Sequence, residues 1–240
     1  MKTQKLLSYL RKCIDEYRLV DPGDRIAVGL SGGKDSVTLL YGLAKLRAFY
    51  PVPFSLCAVI VDPGFGADFS PLEDFTASLS VPLVIERTRI AEIVFEHRRE
   101  DHPCSLCANM RRGALTAAAE RLNCTKLALG HHRDDYLTTF MLSWLYEGRI
   151  YTFAPKTRYE DRRIDIIRPM LYIPEGAVRS FVSEMELPIV SNPCPEDRKT
   201  QREEMNALLI ELNRRFPGAR ERLLHAIRTS GIPDWADLRR

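Results

Sequence analysis

The sequence predicts an α/β fold: a doubly wound parallel sheet, preceded by an N-terminal helix and followed by a helical C-terminal segment. Two observations carry this. Short apolar runs, of the kind found in strands buried on both faces, alternate with longer stretches of helical period. Polar, glycine-containing turns follow two of those runs, at Ser31-Gly32-Gly33-Lys34-Asp35-Ser36 and at Gly130-His131-His132-Arg133-Asp134-Asp135. In an open parallel sheet, ligands bind at such strand ends.

Leu6, Leu7, Leu10, Cys13, Ile14 and Tyr17 recur at helical spacing, so the N-terminal segment, residues 1–22, carries an amphipathic helix that stops before Asp21-Pro22-Gly23. Residues 23–190 form the main domain. Its strands are expected at 25–30, 54–61, 81–85 and 126–129, with helices at 36–49, 71–79, 106–122 and 134–146 between and after them. A further strand at 164–167 ends at Arg168-Pro169, and a helix follows at about 174–186. Residues 191–240 supply a cysteine-bearing loop and two last helices, at 200–215 and 219–229.

A chain of 240 residues, 45% hydrophobic and 28% charged, can bury one sizeable core with an appendage. A net charge of +3 does not by itself imply a polyanionic partner. No apolar run approaches the roughly 20 residues that cross a bilayer, and the start of the chain leads into an amphipathic helix. A cytoplasmic protein without membrane contact is expected, and its six cysteines are then not a disulfide framework.

The first polar turn runs from a strand straight into the helix that begins Val37-Thr38-Leu39-Leu40. Backbone amides at a glycine turn and at a helix N-terminus converge on one spot and favour negative charge there, so the spot suits pyrophosphate. The pattern is not a Walker A loop, because Lys34 is followed by Asp35 rather than Ser or Thr. It resembles instead the SGGKDS signature of the PP-loop ATP pyrophosphatase family, an adenine nucleotide alpha hydrolase-like fold. That resemblance implies ATP cleaved between its α- and β-phosphates, with AMP passed to a substrate oxygen. Ser31 and Ser36 would hydrogen-bond phosphate with the Gly32 and Gly33 amides, Lys34 would neutralise it, and Asp35 would hold Mg²⁺.

Asp62, at the end of the second strand, either faces the nucleotide or closes the turn before Pro63-Gly64. Gly130 allows close backbone approach, and the carboxylates of Asp134 and Asp135 suit Mg²⁺ bound together with phosphates. Read alone, these aspartates and His131 also fit an ordinary helix start. LGHHRDD resembles the second motif of PP-loop enzymes that modify tRNA, which makes Gly130, His131, Asp134 and Asp135 candidates for ATP binding and Asp135 a candidate for Mg²⁺.

Cys104 and Cys107 open a predicted helix, where the N-terminus lowers thiolate pKa. Such a pair can chelate a metal, form a transient disulfide or do nothing chemical. Cys194, in Asn192-Pro193-Cys194-Pro195, offers a third ligand, and His97 or His102 would complete a zinc site. Three thiolates fit a [4Fe-4S] cluster with one open iron better than they fit zinc. Cys13, Cys57 and Cys124 lie on apolar stretches and read as buried small residues.

PCSLCANMRRGAL, LALGHHRDD and IIRPMLYI, in that order after SGGKDS, resemble the TtcA family of tRNA 2-thiocytidine biosynthesis proteins from about residue 24 to 216. The resemblance implies ATP, Mg²⁺ and a [4Fe-4S] cluster on Cys104, Cys107 and Cys194. It implies thiolation of an anticodon-loop cytidine, C32 of tRNA, with Lys34, Asp35, Cys104 and Cys107 as catalytic residues. The partners to expect are tRNA and a cysteine desulfurase as sulfur donor, and a homodimer is compatible with the sequence. Rival readings are a cysteine persulfide without a cluster, a different acceptor, and an ATP-binding redox sensor without turnover.

Basic residues near these motifs would position RNA through its phosphates: Arg111 and Arg112, Lys156 and Arg158, and Arg198, Lys199 and Arg202. Tyr151, Phe153 and Tyr159 are available to stack on an unpaired base. Acidic neighbours such as Asp165 and Glu203 make a solvated face an equal reading of most of these charges.

Overall fold

The structure, a computed structural model, describes residues 1–98, 103–158, 163–190, 201–232 and 235. Among the described residues six strands form one sheet in the order β3-β2-β1-β4-β6-β5. They are β1 (Arg25–Gly29), β2 (Ser55–Asp62), β3 (Leu83–Arg87), β4 (Lys126–Ala128), β5 (Lys156–Thr157) and β6 (Asp165–Ile167). The first four, with β6, run parallel, β1 pairing Ala27 with Cys57 on one side and with Leu127 on the other. Chain order reverses between β1 and β4, so the carboxyl ends of these two strands open a crevice.

The helices are α1 (Thr3–Tyr17), α2 (Lys34–Arg47), α3 (Ser70–Ser78), a short α4 (Ile90–Glu92), α5 (Pro103–Arg121), α6 (Arg133–Glu147), α7 (Glu175–Glu184), α8 (Gln201–Arg215) and α9 (Ala219–Thr229). The larger core lies on one face, where Leu6, Leu10 and Ile14 of α1 and Leu39, Leu40 and Leu43 of α2 pack with Val28 and Ile60. Gly42 permits the α1 and α2 backbones to approach, since a Cβ there would stand 2.3 Å from Leu10 Cδ1. On the other face Ala118 and Ala119 of α5 cover Ala27, Cys57, Val59 and Leu127. Trp235 is buried against Tyr17 and Tyr136, which anchors the C-terminal segment to the main core.

Two local features depart from the expectation. β5 joins β6 antiparallel, so the sheet is mixed at this edge. A two-residue strand has no periodicity to read, and its partner defines it. Residues 90–98 are helical, α4 running into a π-helical turn at Ile93–Arg98. No helix among the described residues is long and apolar enough to cross a membrane.

Candidate active site

The sequence after β1 folds into a loop held by its own serines. The Ser31 amide donates to Ser36 Oγ at 3.1 Å, and Ser36 Oγ donates to the Gly33 carbonyl at 2.9 Å. Gly32 takes φ +84°, in the left-handed region. It also packs so tightly on Val190 that a Cβ would lie 3.1 Å from that residue's Cβ and carbonyl oxygen. Gly33 precedes α2, so the first amides of the helix point out of the loop, as anion binding requires.

The second motif meets the first directly. A Cβ on Gly130 would lie 2.9 Å from the carbonyl carbon of Asp35 and 3.1 Å from the Ser36 amide nitrogen, so only glycine fits. Next to it, His132 is 4% exposed and bridges the two motifs. Its Nε2 lies 3.5 Å from Asp35 Oδ1 and its Nδ1 lies 3.4 Å from Asp135 Oδ2. Asp135 also accepts the His132 amide at 2.9 Å, closing the first turn of α6. Burial, helped by the nearby Asp35 carboxylate, raises the Asp135 pKa despite the opposing pull of His132 and Arg202.

Two clefts share Asp35 as a wall. The larger, about 330 Å³, has apolar sides from Val59, Val61, Leu127 and Leu129 and polar groups from Ser31, Ser36 and His131. That combination suits a purine nucleoside with phosphate at one end. Burial first, and then the Arg168 and Arg202 charges, push the His131 pKa down to about 3, so the imidazole is neutral at pH 7. The smaller cleft, about 170 Å³, is lined by Lys34, His132, Asp135, Glu175 and Arg202 among others. Lys34 Nζ donates to Asp35 Oδ2 at 2.9 Å and pairs with Glu175 at 3.3 Å.

α5 forms the far wall of the larger cleft through Ala108, Arg111, Arg112 and Leu115. Cys104 is exposed, and Cys107 is buried with Ile90 and Val94, flanked by Val61, Phe95 and Met110. Two thiols three residues apart on a first helical turn, backed by an apolar shell, fit a soft-metal or cluster site. Cys194 and His102 lie outside the described residues, and His97 turns to Glu92 instead, its Nδ1 3.3 Å from the Glu92 carbonyl oxygen. Among the described residues no group of three or more His, Cys, Asp or Glu could hold a metal ion. Asp35 Oδ1 is buried without a hydrogen-bond partner among them, which suits a carboxylate oxygen that meets a cation.

Several expected site residues take other roles. Asp134 is 2% exposed and lines the smaller cleft, and its oxygens also accept the Glu175 amide at 2.7 Å and Arg220 Nη1 at 2.8 Å, so it clamps α7 and α9 to the cleft wall. Asp62 closes its turn by accepting the Gly64 amide at 2.9 Å. Lys156 pairs with Ile167 across the sheet edge, and its buried side chain sends the ammonium back toward the amino end of β6, donating to the Arg18 carbonyl at 3.2 Å and lying 3.5 Å from Asp165. Arg158 is exposed on the same side, 3.6 Å from Asp165. Neither joins Arg111 and Arg112 at the cleft. Phe153 packs on Tyr136 and His131, at 4.4 and 4.8 Å between ring centres, and Tyr159, Arg198 and Lys199 lie outside the described residues.

His132, Glu175 and Arg220 join the site without having been expected there, beside the expected His131. His132 was legible in principle, since it stands at the N-cap, three residues before a carboxylate. Glu175 and Arg220 reach the site from distant helices and leave no local signal.

A family model described as a PP-loop domain matches residues 3–212. The tRNA-cytidine(32) 2-sulfurtransferase of Pelobacter propionicus is 39% identical over 230 residues, covering 93% of this chain and 85% of that protein. The enzyme of the same name from Anaeromyxobacter dehalogenans is 40% identical over 229 residues, covering 93% of this chain and 78% of that one. Among solved structures, the U34-tRNA thiolase NcsA from Methanococcus maripaludis with its [4Fe-4S] cluster superposes with a TM-score of 0.76 at 24% identity, over 92% of this chain and 76% of that chain. At that identity the likeness speaks for the fold.

Proposed function

We infer the function from one premise: the chain belongs to the PP-loop domain family and, within it, groups with the tRNA-cytidine(32) 2-sulfurtransferases. It is an ATP-dependent sulfurtransferase acting on tRNA, with the C2 oxygen of cytidine 32 as the group replaced. The observation that supports this most is the meeting of three motifs at one cleft. SGGKDS and Gly130 touch across its phosphate end, and the helix that carries Cys104 and Cys107 forms its far wall.

Carbonyl oxygen is a poor leaving group, and activation precedes its replacement. The cytidine O2 attacks the α-phosphorus of ATP, an O–P bond forms, the α,β-bridging bond breaks and pyrophosphate departs. The loop amides and Lys34 stabilise the charge that develops on that pyrophosphate. Glu175 and Asp35 hold the Lys34 ammonium at the mouth of the smaller cleft. Asp35 and Asp135 would hold Mg²⁺ together with phosphate oxygens, His132 keeping the two carboxylates in register. A sulfur nucleophile then adds at C2, and the C–O bond breaks to release AMP.

Cys104 and Cys107, with Cys194, would hold a [4Fe-4S] cluster whose open iron supplies a site for the incoming sulfur. Arg111 and Arg112, one turn along α5 from Cys107, line the nucleotide cleft, where they would meet phosphates of an anticodon loop. A cysteine desulfurase as donor and a homodimer complete the reading.

Nucleoside mass spectrometry of tRNA from a deletion strain tests the function. Loss of 2-thiocytidine, restored by the intact gene and not by a Lys34→Ala variant, is expected. Unchanged 2-thiocytidine would overturn the assignment.

A further inference from the structure

Away from the clefts, near the amino ends of the strands, two cysteines face each other inside the protein. Cys57, the third residue of β2, lies with its Sγ 3.4 Å from Sγ of Cys124. Cys124 is fixed to the last turn of α5, its amide donating to the Ala119 carbonyl at 3.0 Å. Cys57 is 2% exposed and Cys124 is 5% exposed, within an apolar cluster that includes Val59, Ala118 and Leu127. The proposed chemistry of ATP and sulfur has no use for this pair.

We propose that Cys57 and Cys124 are a peroxide-sensitive dithiol, a modification site at which a small oxidant closes a disulfide between β2 and the end of α5. Each part of that chemistry has a source in the surroundings. The Cys124 thiol hydrogen-bonds the Cys57 sulfur and the Arg25 guanidinium adds positive charge, which together pull the Cys57 pKa down to about 7 against the effect of burial. The Cys124 pKa is raised, chiefly because it donates to Cys57 and because it is buried. At neutral pH a share of Cys57 is therefore thiolate, beside a Cys124 that keeps its proton.

The steps balance with hydrogen peroxide as oxidant. The Cys57 thiolate attacks one peroxide oxygen, the O–O bond breaks, and Cys57 becomes a sulfenic acid as hydroxide leaves. Cys124 then attacks that sulfur, the S–O bond breaks, and water departs with the Cys124 proton. Two electrons pass from the sulfurs to peroxide. Closing the bond draws the sulfurs to the ~2.05 Å of a disulfide, which needs only a small movement in the pair. Burial selects the oxidant, because a peroxide can enter where a folded thiol-disulfide protein cannot.

The site matters for what α5 carries. The helix holds Cys104 and Cys107 at one end and Arg111 and Arg112 against the nucleotide cleft, and a covalent tie at its other end fixes it to the sheet. The inference does not depend on which base or which sulfur donor the enzyme uses.

The test is peptide mapping of the intact chain after brief treatment with hydrogen peroxide and blocking of the remaining thiols. The expected result is a Cys57–Cys124 linked peptide, lighter by two hydrogens than its reduced parts and split by dithiothreitol. Alkylation of both residues should fall together by about tenfold. In the Cys124→Ser chain the sulfenic acid should persist on Cys57 and be trapped by a cyclic 1,3-diketone. Full alkylation of Cys57 and Cys124 in wild-type chain whose Cys104 and Cys107 have oxidised would overturn the proposal.

Discussion

Gly130 carries more of the site than its size suggests, because its missing Cβ is what allows the second motif to lie against the first. Gly130→Ala places a methyl group 2.9 Å from the Asp35 carbonyl carbon, and backbone cannot yield as a side-chain tip can. The variant should lose about 1–3 kcal/mol of stability by overpacking, with a larger proportional loss of ATP affinity. Denaturant unfolding and calorimetric ATP titration measure the two. Lys34→Ala keeps the loop backbone and removes the charge, so pyrophosphate release should fall by about a hundredfold to a thousandfold with the melting temperature little changed. His131 supplies a pH effect. Its folded pKa of about 3 lies below the ordinary 6.5, so below pH 6.5 the unfolded chain takes up a proton that the folded chain refuses. The contribution is fully present above 6.5 and lost as pH falls toward 3. Urea midpoints at pH 7 and pH 5 should differ less in His131→Asn than in wild type.

Among the elements, the last two helices do more than cover the core. Arg220 of α9 pairs with Asp134 at 2.8 Å, and Arg133 pairs with Glu221 at 2.6 Å, so α9 is bolted to the start of α6. Asp134 also accepts the amide of Glu175, and Glu175 in turn holds Lys34. Arg220→Ala removes the nearer charge partner of a buried carboxylate, leaving Arg133 at 3.7 Å and the Glu175 amide, and should cost about 2–3 kcal/mol, with weaker nucleotide binding as the α7 start loosens. Arg220→Lys should restore part of both, which calorimetric melting and ATP titration would report. The sequence made the scaffold of this arrangement legible, because strands β1, β2 and β4 are apolar runs bounded by turns and SGGKDS is a local anion site. It did not make the clamp legible: nothing near Asp134 in the chain announces its bond to Arg220, 86 residues away. Lys156 misled for the same reason, since its ammonium answers to Asp21 and Asp165 across the sheet edge. β5 and the helical turn at 90–98 depend on tertiary partners in the same way.

At the scale of the whole molecule, the two chemical halves of the proposed reaction sit on different supports. Nucleotide activation belongs to the carboxyl ends of β1 and β4 with the α2 start, which the sheet core holds rigid. Sulfur delivery would belong to the first turn of α5, where Cys107 packs with Ile90 and Val94 in a small cluster separate from the main core, touching the sheet at Val61. The halves should therefore separate by mutation. Cys107→Ser exchanges one sulfur for oxygen in that small cluster and leaves the loop, Gly130 and His132 untouched. It should abolish 2-thiocytidine formation in anaerobically prepared protein and take away the brown colour of an iron–sulfur species. ATP binding should stay within about threefold of wild type, because no atom of Cys107 lines the nucleotide cleft. Lys34→Ala should show the opposite pattern, keeping the colour and losing pyrophosphate release. If Cys107→Ser instead lost ATP binding in parallel with thiolation, α5 and the loop would be one cooperative unit and the division into two supports would fail.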